Sequence, residues 1–140
     1  MKKELQSKGF TLIEILTVLV IITIAAVIAV PKYFDMMEKS EEHTLNGALM
    51  VMQGRANRVF SASMVKNNGI ALLDDIDTFD DIDMGSKDEI ERSLRDFVGT
   101  WSYVNETTIE YLFKRGNKKG VFNFTSGTAD SPPIISLNVI

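Results

Sequence analysis

The sequence has 140 residues, a net charge of −4 and 45% hydrophobic residues, which fits one domain and argues against a nucleic-acid ligand. It has no cysteine and one histidine, His43, so disulfides, thiolate metal sites, cysteine nucleophiles and most histidine-based metal sites and triads are excluded. The sequence contains no phosphate-binding glycine loop and no nucleophile with a base at a recognisable spacing, so we expect a protein that is not an enzyme.

The front of the chain is a run of apolar residues. Of the 22 residues from Phe10 to Pro31, 17 are hydrophobic, and no charged residue lies between Ile15 and Val30. As a helix this run would be roughly 33 Å long, close to the ~30 Å hydrocarbon core of a bilayer. Residues 1–9 carry a net charge of +2, as expected on the cytoplasmic side of a membrane, and the other residues carry −6. A secretory signal, a permanent anchor and a buried core helix are the three interpretations, and the missing polar stripe disfavours the last.

Glu14 is the one charged residue in the apolar run, where a carboxylate costs ~2.5 to 3.5 kcal/mol at mid-bilayer and less near the interface. It ends the motif Gly9-Phe10-Thr11-Leu12-Ile13-Glu14, which resembles the N-terminus of type IV prepilins, the family that also contains the pseudopilins of type II secretion. The resemblance implies that a prepilin peptidase cleaves between Gly9 and Phe10, and that the new amino group of Phe10 is N-methylated.

The resemblance also implies that Glu14 of an incoming subunit pairs with the Phe10 amine of a subunit already in the filament, which sets the register of the helices. The other interpretation of Glu14 is a carboxylate that reaches the head groups and interacts with the helix dipole. A conventional signal peptide would be cleaved after Ala29, because Val27-Ile28-Ala29 has small residues at a suitable spacing.

Pro31 interrupts an otherwise continuous helical pattern, so we expect the helix to bend or loosen there, or the membrane span to end there. Beyond it the apolar residues follow one face of a helix, namely Leu45, Ala48, Leu49, Met52, Ala56, Val59 and Phe60, with Ser63 in the eighth position. Asn67-Asn68-Gly69 predicts the end of this helix, because these residues tolerate the left-handed conformation of a C-terminal cap. The sequence therefore predicts a helix from Phe10 to about Lys66.

The connecting region contains six aspartates within ten positions: Asp74, Asp75, Asp77, Asp80, Asp81 and Asp83. Calcium is the one cofactor that they suggest, because hard cations bind several carboxylate oxygens. The spacing does not match an EF-hand loop, which favours an exposed acidic loop. Ser86-Lys87-Asp88-Glu89 then predicts a capping box and a short helix that ends at Gly99, with Ile90, Leu94, Phe97 and Val98 facing inward.

Alternating residues predict antiparallel strands in the rest of the chain. These are Ile109, Tyr111 and Phe113; Phe122 and Phe124 after a turn at Gly116–Gly120; Ile135, Leu137 and Val139; and a further strand from Trp101 to Val104. The expected fold is α+β, with a long N-terminal helix packed on a three- to four-stranded antiparallel sheet. The resemblance implies the same type IV pilin fold.

The expected organisation is a leader over residues 1–9, a transmembrane or filament-core half of the helix over 10–31, and a head over 32–140. Within the head we expect an amphipathic helix half over 32–66, the connecting region over 67–99 and the sheet over 100–140. His43 is expected to face solvent. The cysteine pair of many pilins is missing, so packing, sheet pairing or calcium must stabilise the head.

The resemblance implies a structural subunit that polymerises with copies of itself, is processed by prepilin peptidase and is handled by an inner-membrane assembly platform. It would lie in the inner membrane as a single-pass protein before assembly and at the cell surface afterwards. Pro31-Lys32-Tyr33 and Leu45-Asn46-Gly47-Ala48 are most similar to pilins of the mannose-sensitive haemagglutinin type. A type II secretion pseudopilin is the alternative within the family, and a membrane-anchored or secreted binding domain is the alternative outside it.

Overall fold

The structure is a computed structural model that describes residues 10–72, 76–97, 99–114 and 118–140. The chain forms two compact units that divide between Lys39 and Ser40. One helix, α1 (Leu12–Lys66), contributes to both units, and its bounds agree with the predicted helix to within two residues. The α-helix continues through Pro31 without interruption. The bend or loosening that we expected at Pro31 stays a prediction.

The first unit holds the apolar front of α1. Its large apolar side chains from Leu12 to Val30 are between 48% and 85% exposed, and the helix is long and apolar enough, by length and composition, to cross a membrane. The hydroxyls of the two threonines in this stretch donate hydrogen bonds to backbone carbonyls one turn earlier in the helix. Thr17 Oγ1 donates to Ile13 O at 2.8 Å, and Thr23 Oγ1 donates to Leu19 O at 2.8 Å. The surface of the stretch therefore presents methyl groups and no unsatisfied hydroxyl donor.

The second unit contains a four-stranded antiparallel sheet made of β1 (Thr100–Asn105), β2 (Thr108–Leu112), β3 (Lys119–Thr125) and β4 (Ile134–Val139). The strands lie in chain order, β1-β2-β3-β4, so each neighbouring pair is joined without a crossover. A β-bulge between Tyr103 and Asn105 shifts the register of β1 on β2. The predicted α+β fold is confirmed, with the larger of the two expected strand numbers.

The back half of α1 covers this sheet with the predicted face. Six residues of the eight-position pattern are buried, Leu45, Ala48, Met52, Ala56, Phe60 and Ser63, and the other two are partly buried. The sheet contributes a row of aromatic side chains, in which Trp101 and Tyr111 meet edge to face at 4.9 Å between ring centroids. A side chain at Gly120 would come within 2.7 Å of Leu45 Cδ1, so glycine lets the helix approach β3 closely.

The end of α1 agrees with the prediction. Asn68 and Gly69 both have positive φ values, 56° and 93°, and the Gly69 N–H donates to Met64 O at 2.8 Å. These left-handed residues reverse the chain and satisfy a carbonyl of the last turn.

Two predicted boundaries were wrong. The short helix α2 (Lys87–Ser93) begins with the expected capping box, in which Ser86 Oγ accepts from Glu89 N at 3.3 Å, but it ends before Gly99. Leu94 is its C-cap, and Gly99 is needed for another reason, because a Cβ there would overlap the ring of the buried Tyr111. Val98, predicted to face inward, has a side chain outside the described residues.

The turn predicted at Gly116–Gly120 is also too long. Lys119 and Gly120 belong to β3, because Lys119 pairs with Leu112 and exchanges two backbone hydrogen bonds with Ile140, at 2.7 and 2.9 Å. Gly116 and Asn117 lie outside the described residues. In β4 the predicted alternation weakens towards the end, since Ile135 is buried whereas Val139 is 41% exposed.

Candidate assembly site

The helix start brings Thr11 and Glu14 together in a capping box. Glu14 N donates to Thr11 Oγ1 at 3.4 Å, and Glu14 Oε2 accepts from Thr11 N at 3.3 Å and from Thr11 Oγ1 at 3.4 Å. The Glu14 carboxylate therefore satisfies the Thr11 N–H, and the Glu14 N–H is shared between the Thr11 hydroxyl and the Thr11 carbonyl, which accepts at 3.1 Å. The carboxylate of Glu14 is fixed one turn inside the N-terminus of α1, where the helix dipole favours a negative charge.

The sequence analysis missed the part of Thr11 in this site. The signal was available, because Thr11-Leu12-Ile13-Glu14 matches the pattern of a threonine followed three residues later by an acid, directly before an apolar run. The prepilin motif implies a role for Glu14 between subunits, whereas the geometry also gives it a role within its own helix.

Phe10 precedes the helix and is 80% exposed, and Gly9, the other residue of the expected cleavage point, lies outside the described residues together with the leader. Among the residues described, no cation lies within ion-pair distance of Glu14. One carboxylate thus lies at the edge of a long apolar surface. Burial of that surface against other molecules would require a positively charged partner for it.

The acidic segment is organised around alternating burial. Four apolar residues point into the core, Ile76, Phe79, Ile82 and Met84, whereas Asp77, Asp80 and Asp83 are exposed. Asp80 and Asp81 lie in a 3-10 helix, Asp80–Ile82. The exposed acidic loop expected from the sequence therefore also supplies part of the core.

One carboxylate of this segment is committed to holding its own loop. Asp81 Oδ2 accepts from Asp77 N at 3.0 Å, from Thr78 N at 3.0 Å and from Thr78 Oγ1 at 2.8 Å. Within the described ranges no cluster of three or more acidic or histidine side chains could hold a metal ion, and Asp74 and Asp75 lie outside those ranges. The calcium site stays a prediction, without Asp81 Oδ2 as an available ligand.

Tyr103 links the acidic segment to the sheet. Its hydroxyl donates to Asp80 Oδ1 at 3.3 Å. Burial, followed by the charge of Asp80 and its hydrogen bond and by the charge of Glu106, raises the pKa of Tyr103 above its ordinary value. The phenol therefore remains a donor at neutral pH. His43 is exposed on α1, as expected.

Two comparisons relate the chain to known proteins. The family model of the prokaryotic N-terminal methylation motif matches residues 5–30. The type IV narrow pilus major component PilA5 of Thermus thermophilus is 27% identical over 121 residues, which cover 86% of this chain and 98% of that protein. Both matches support a place for this chain among the type IV pilins and pseudopilins. No solved structure gives a significant match.

The fold agrees with these matches, because a long N-terminal helix with a four-stranded antiparallel sheet is the type IV pilin fold. The motif and the pilin relative support a structural subunit of the pilus type. An apolar N-terminal helix of this kind fits membrane anchoring before assembly into a surface filament.

Proposed function

We propose that this chain is the subunit of a type IV pilus, matured by cleavage between Gly9 and Phe10 and by N-methylation of the new Phe10 amine. One observation carries the proposal. The front of α1 exposes an unbroken apolar surface with a single carboxylate, Glu14, fixed one turn from the proposed N-terminus. The match to the methylation motif over residues 5–30 supports the same processing.

The apolar surface needs two successive environments. In the inner membrane the lipid covers it, and during assembly, which an inner-membrane platform would drive, it packs on the same surface of other copies. Exposed apolar patches of this size do not persist in water, so the helix passes from lipid to a helical bundle. The head, residues 32–140, would then face the outside of a filament at the cell surface.

Glu14 gives this bundle its register. Aliphatic helices slide past one another at little cost, whereas a buried carboxylate must meet its cation. Cleavage creates that cation, the positively charged amine of Phe10 on a neighbouring subunit. The desolvation of the two charges offsets much of their attraction, so the pair selects one arrangement more than it stabilises the filament. Before assembly, Thr11 holds the Glu14 carboxylate in place.

Mass spectrometry of purified filaments tests the maturation. We expect a chain that begins at Phe10 and is one methyl group heavier than the unmodified peptide. A Gly9→Val variant should remain unprocessed, since a side chain before the cut would obstruct an extended backbone in a narrow protease site. A filament protein that begins at Val30, after cleavage at Ala29, would contradict the proposal.

A pseudopilin of a type II secretion system remains the second candidate, because the N-terminal motif is common to both groups. Deletion of the chromosomal copy separates the two. Loss of surface filaments in electron micrographs with normal protein export supports the pilus. Loss of export with unchanged surface filaments supports the pseudopilin.

A further inference from the structure

The back half of α1 carries two arginines without acidic neighbours on the helix. No Asp or Glu lies between His43 and Leu72. Arg55 Nη1 donates to Ile82 O at 3.4 Å, and Arg58, one turn later, is exposed. Both arginines line a cavity of about 120 Å³ together with Asp83, which makes no ion pair with either guanidinium. In the described part of the chain neither guanidinium makes an ion pair. Asp83 offsets part of the repulsion between the two like charges, and the exposed Arg58 guanidinium remains available to a carboxylate of another molecule.

The opposite charge lies at the turn between β1 and β2. An open groove of about 400 Å³ is lined by Tyr103, Asn105, Glu106 and Thr107. Asp80 lies beside it, hydrogen-bonded to the Tyr103 hydroxyl. We call these five residues the Tyr103 groove. It combines an aromatic ring with two carboxylates, neither of which makes an ion pair with any described residue.

The backbone of the Tyr103 groove is held by several hydrogen bonds. Asn105 Oδ1 accepts from Thr107 N at 3.0 Å and from Thr107 Oγ1 at 3.1 Å. The Glu106 carbonyl accepts from Phe79 N at 2.7 Å, and the Thr107 carbonyl accepts from Phe124 N at 2.9 Å. Because the turn is fixed before any contact, a ligand does not have to order it.

We propose that the Tyr103 groove binds the Arg58 side chain of a second copy of this chain. A guanidinium stacks on a tyrosine ring and forms paired hydrogen bonds with carboxylates, and the groove offers both. The occupant is a second copy because the two charged surfaces are complementary and each subunit supplies both, so arginines and grooves occur in equal numbers. The inference rests on the proposed function.

The contact is compatible with the symmetry of a filament. If one copy binds the next without a reciprocal contact, the interface is heterologous, and repetition of a heterologous interface that does not close produces an open helix. A reciprocal exchange of the same contact between two copies would instead give dimers and no longer species, and that result would overturn the filament contact.

Cysteine cross-linking tests the contact, since the chain has no cysteine of its own. Filaments of the double variant Arg58→Cys, Glu106→Cys should give a ladder of dimers, trimers and longer species after oxidation. Each single variant should stay monomeric, and so should the matched control Arg58→Cys, Lys114→Cys, whose second site follows the opposite end of β2. Filaments whose double variant stays monomeric, or whose control gives the same ladder, overturn the contact.

Charge exchange gives a second measurement. Arg58→Glu and Glu106→Arg should each lower the yield of sheared filaments about tenfold, which corresponds to about 1.4 kcal/mol, because each places like charges opposite one another. The double exchange should restore the yield, whereas Lys114→Glu, with the same change of charge, should leave it unchanged. Unchanged yield in both single variants contradicts the contact. If the wild-type chain forms no filaments at all, the proposed function fails instead.

Discussion

The capping box at the helix start separates two effects of Glu14 that an alanine substitution would mix. Glu14→Gln keeps an oxygen that accepts from Thr11 N, since glutamine serves in capping boxes as glutamate does, but it removes the charge. Thr11→Ala keeps the charge and removes the hydroxyl that accepts from Glu14 N. The pair of variants therefore distinguishes a register role between subunits from a capping role within one helix.

The two effects differ in expected size. Loss of a threonine N-cap costs ~0.5 to 2 kcal/mol, which corresponds to a decrease of about 2- to 30-fold in an assembly constant if all of it appears there. Removal of one partner from a buried ion pair costs ~3 to 5 kcal/mol, which corresponds to about 100-fold to several thousand-fold. We expect Glu14→Gln to abolish detectable filaments and Thr11→Ala to lower their yield modestly.

The assay is the ratio of sheared filament protein to membrane-bound protein on immunoblots. Mass spectrometry of the membrane pool must show the same N-terminus, Phe10, in both variants and in the wild type. If Glu14→Gln assembles normally while Thr11→Ala does not, Glu14 acts as a helix cap and the register argument is refuted.

Three further predictions concern the stability of the head, measured as the free energy of unfolding of the detergent-solubilised chain in urea. Gly54→Ala should stabilise by up to ~1 kcal/mol because nothing lies within 4 Å of the added Cβ, whereas Gly47→Ala should gain less, since its Cβ would lie 2.7 Å from Phe97 Cε1. Gln53→Ala should destabilise by about 1 to 3 kcal/mol and speed amide exchange in β4, where its side chain bonds two backbone groups. Asp81→Ala should cost about 1.5 to 3 kcal/mol through three lost hydrogen bonds. Equal effects at the two glycines, or an unchanged value for Gln53→Ala or for Asp81→Ala, would each contradict the corresponding contact.

The parts of the fold that were predictable are those in which residue pattern alone decides the environment. The face of α1 from Leu45 to Phe60 was predictable because burial on one side of a helix requires apolar residues at a 3.6-residue period. Ser63 broke that pattern and is nevertheless buried, since its Oγ accepts from Leu72 N at 3.2 Å and from Asn67 Nδ2 at 3.3 Å. That role depends on where the chain returns after the helix, which periodicity does not encode.

The sequence analysis erred or was incomplete where a residue is explained by contacts with distant parts of the chain rather than by its neighbours in sequence. Gly99 looked like a helix stop, but the ring of Tyr111, on the second strand after it, is what excludes a side chain there. The exposed acidic loop was predicted, but the role of Phe79 in it was not, since Phe79 is fully buried, donates its N–H to Glu106 O and meets Phe124 edge to face at 5.4 Å. In the candidate site, Glu14 was predicted and its partner Thr11 was not, because the motif that indicates the family concerns contacts between subunits rather than within one helix.

The missing cysteine pair leaves the last strand to be held by non-covalent contacts. The side-chain amide of Gln53 in α1 forms backbone hydrogen bonds at the outer edge of β4, where no further strand of the described residues pairs. Its Oε1 accepts from Ile135 N at 2.9 Å, and its Nε2 donates to Pro133 O at 2.7 Å. The loop before β4 is closed by a bridge between Thr128 and Ser131, whose hydroxyls lie 2.7 Å apart. Each such hydrogen bond contributes only ~0.5 to 1.5 kcal/mol, so several are needed to match the ~2 to 4 kcal/mol of a disulfide. Stability at this end of the head therefore depends on Gln53 of α1, so the helix that would form the filament also secures the last strand.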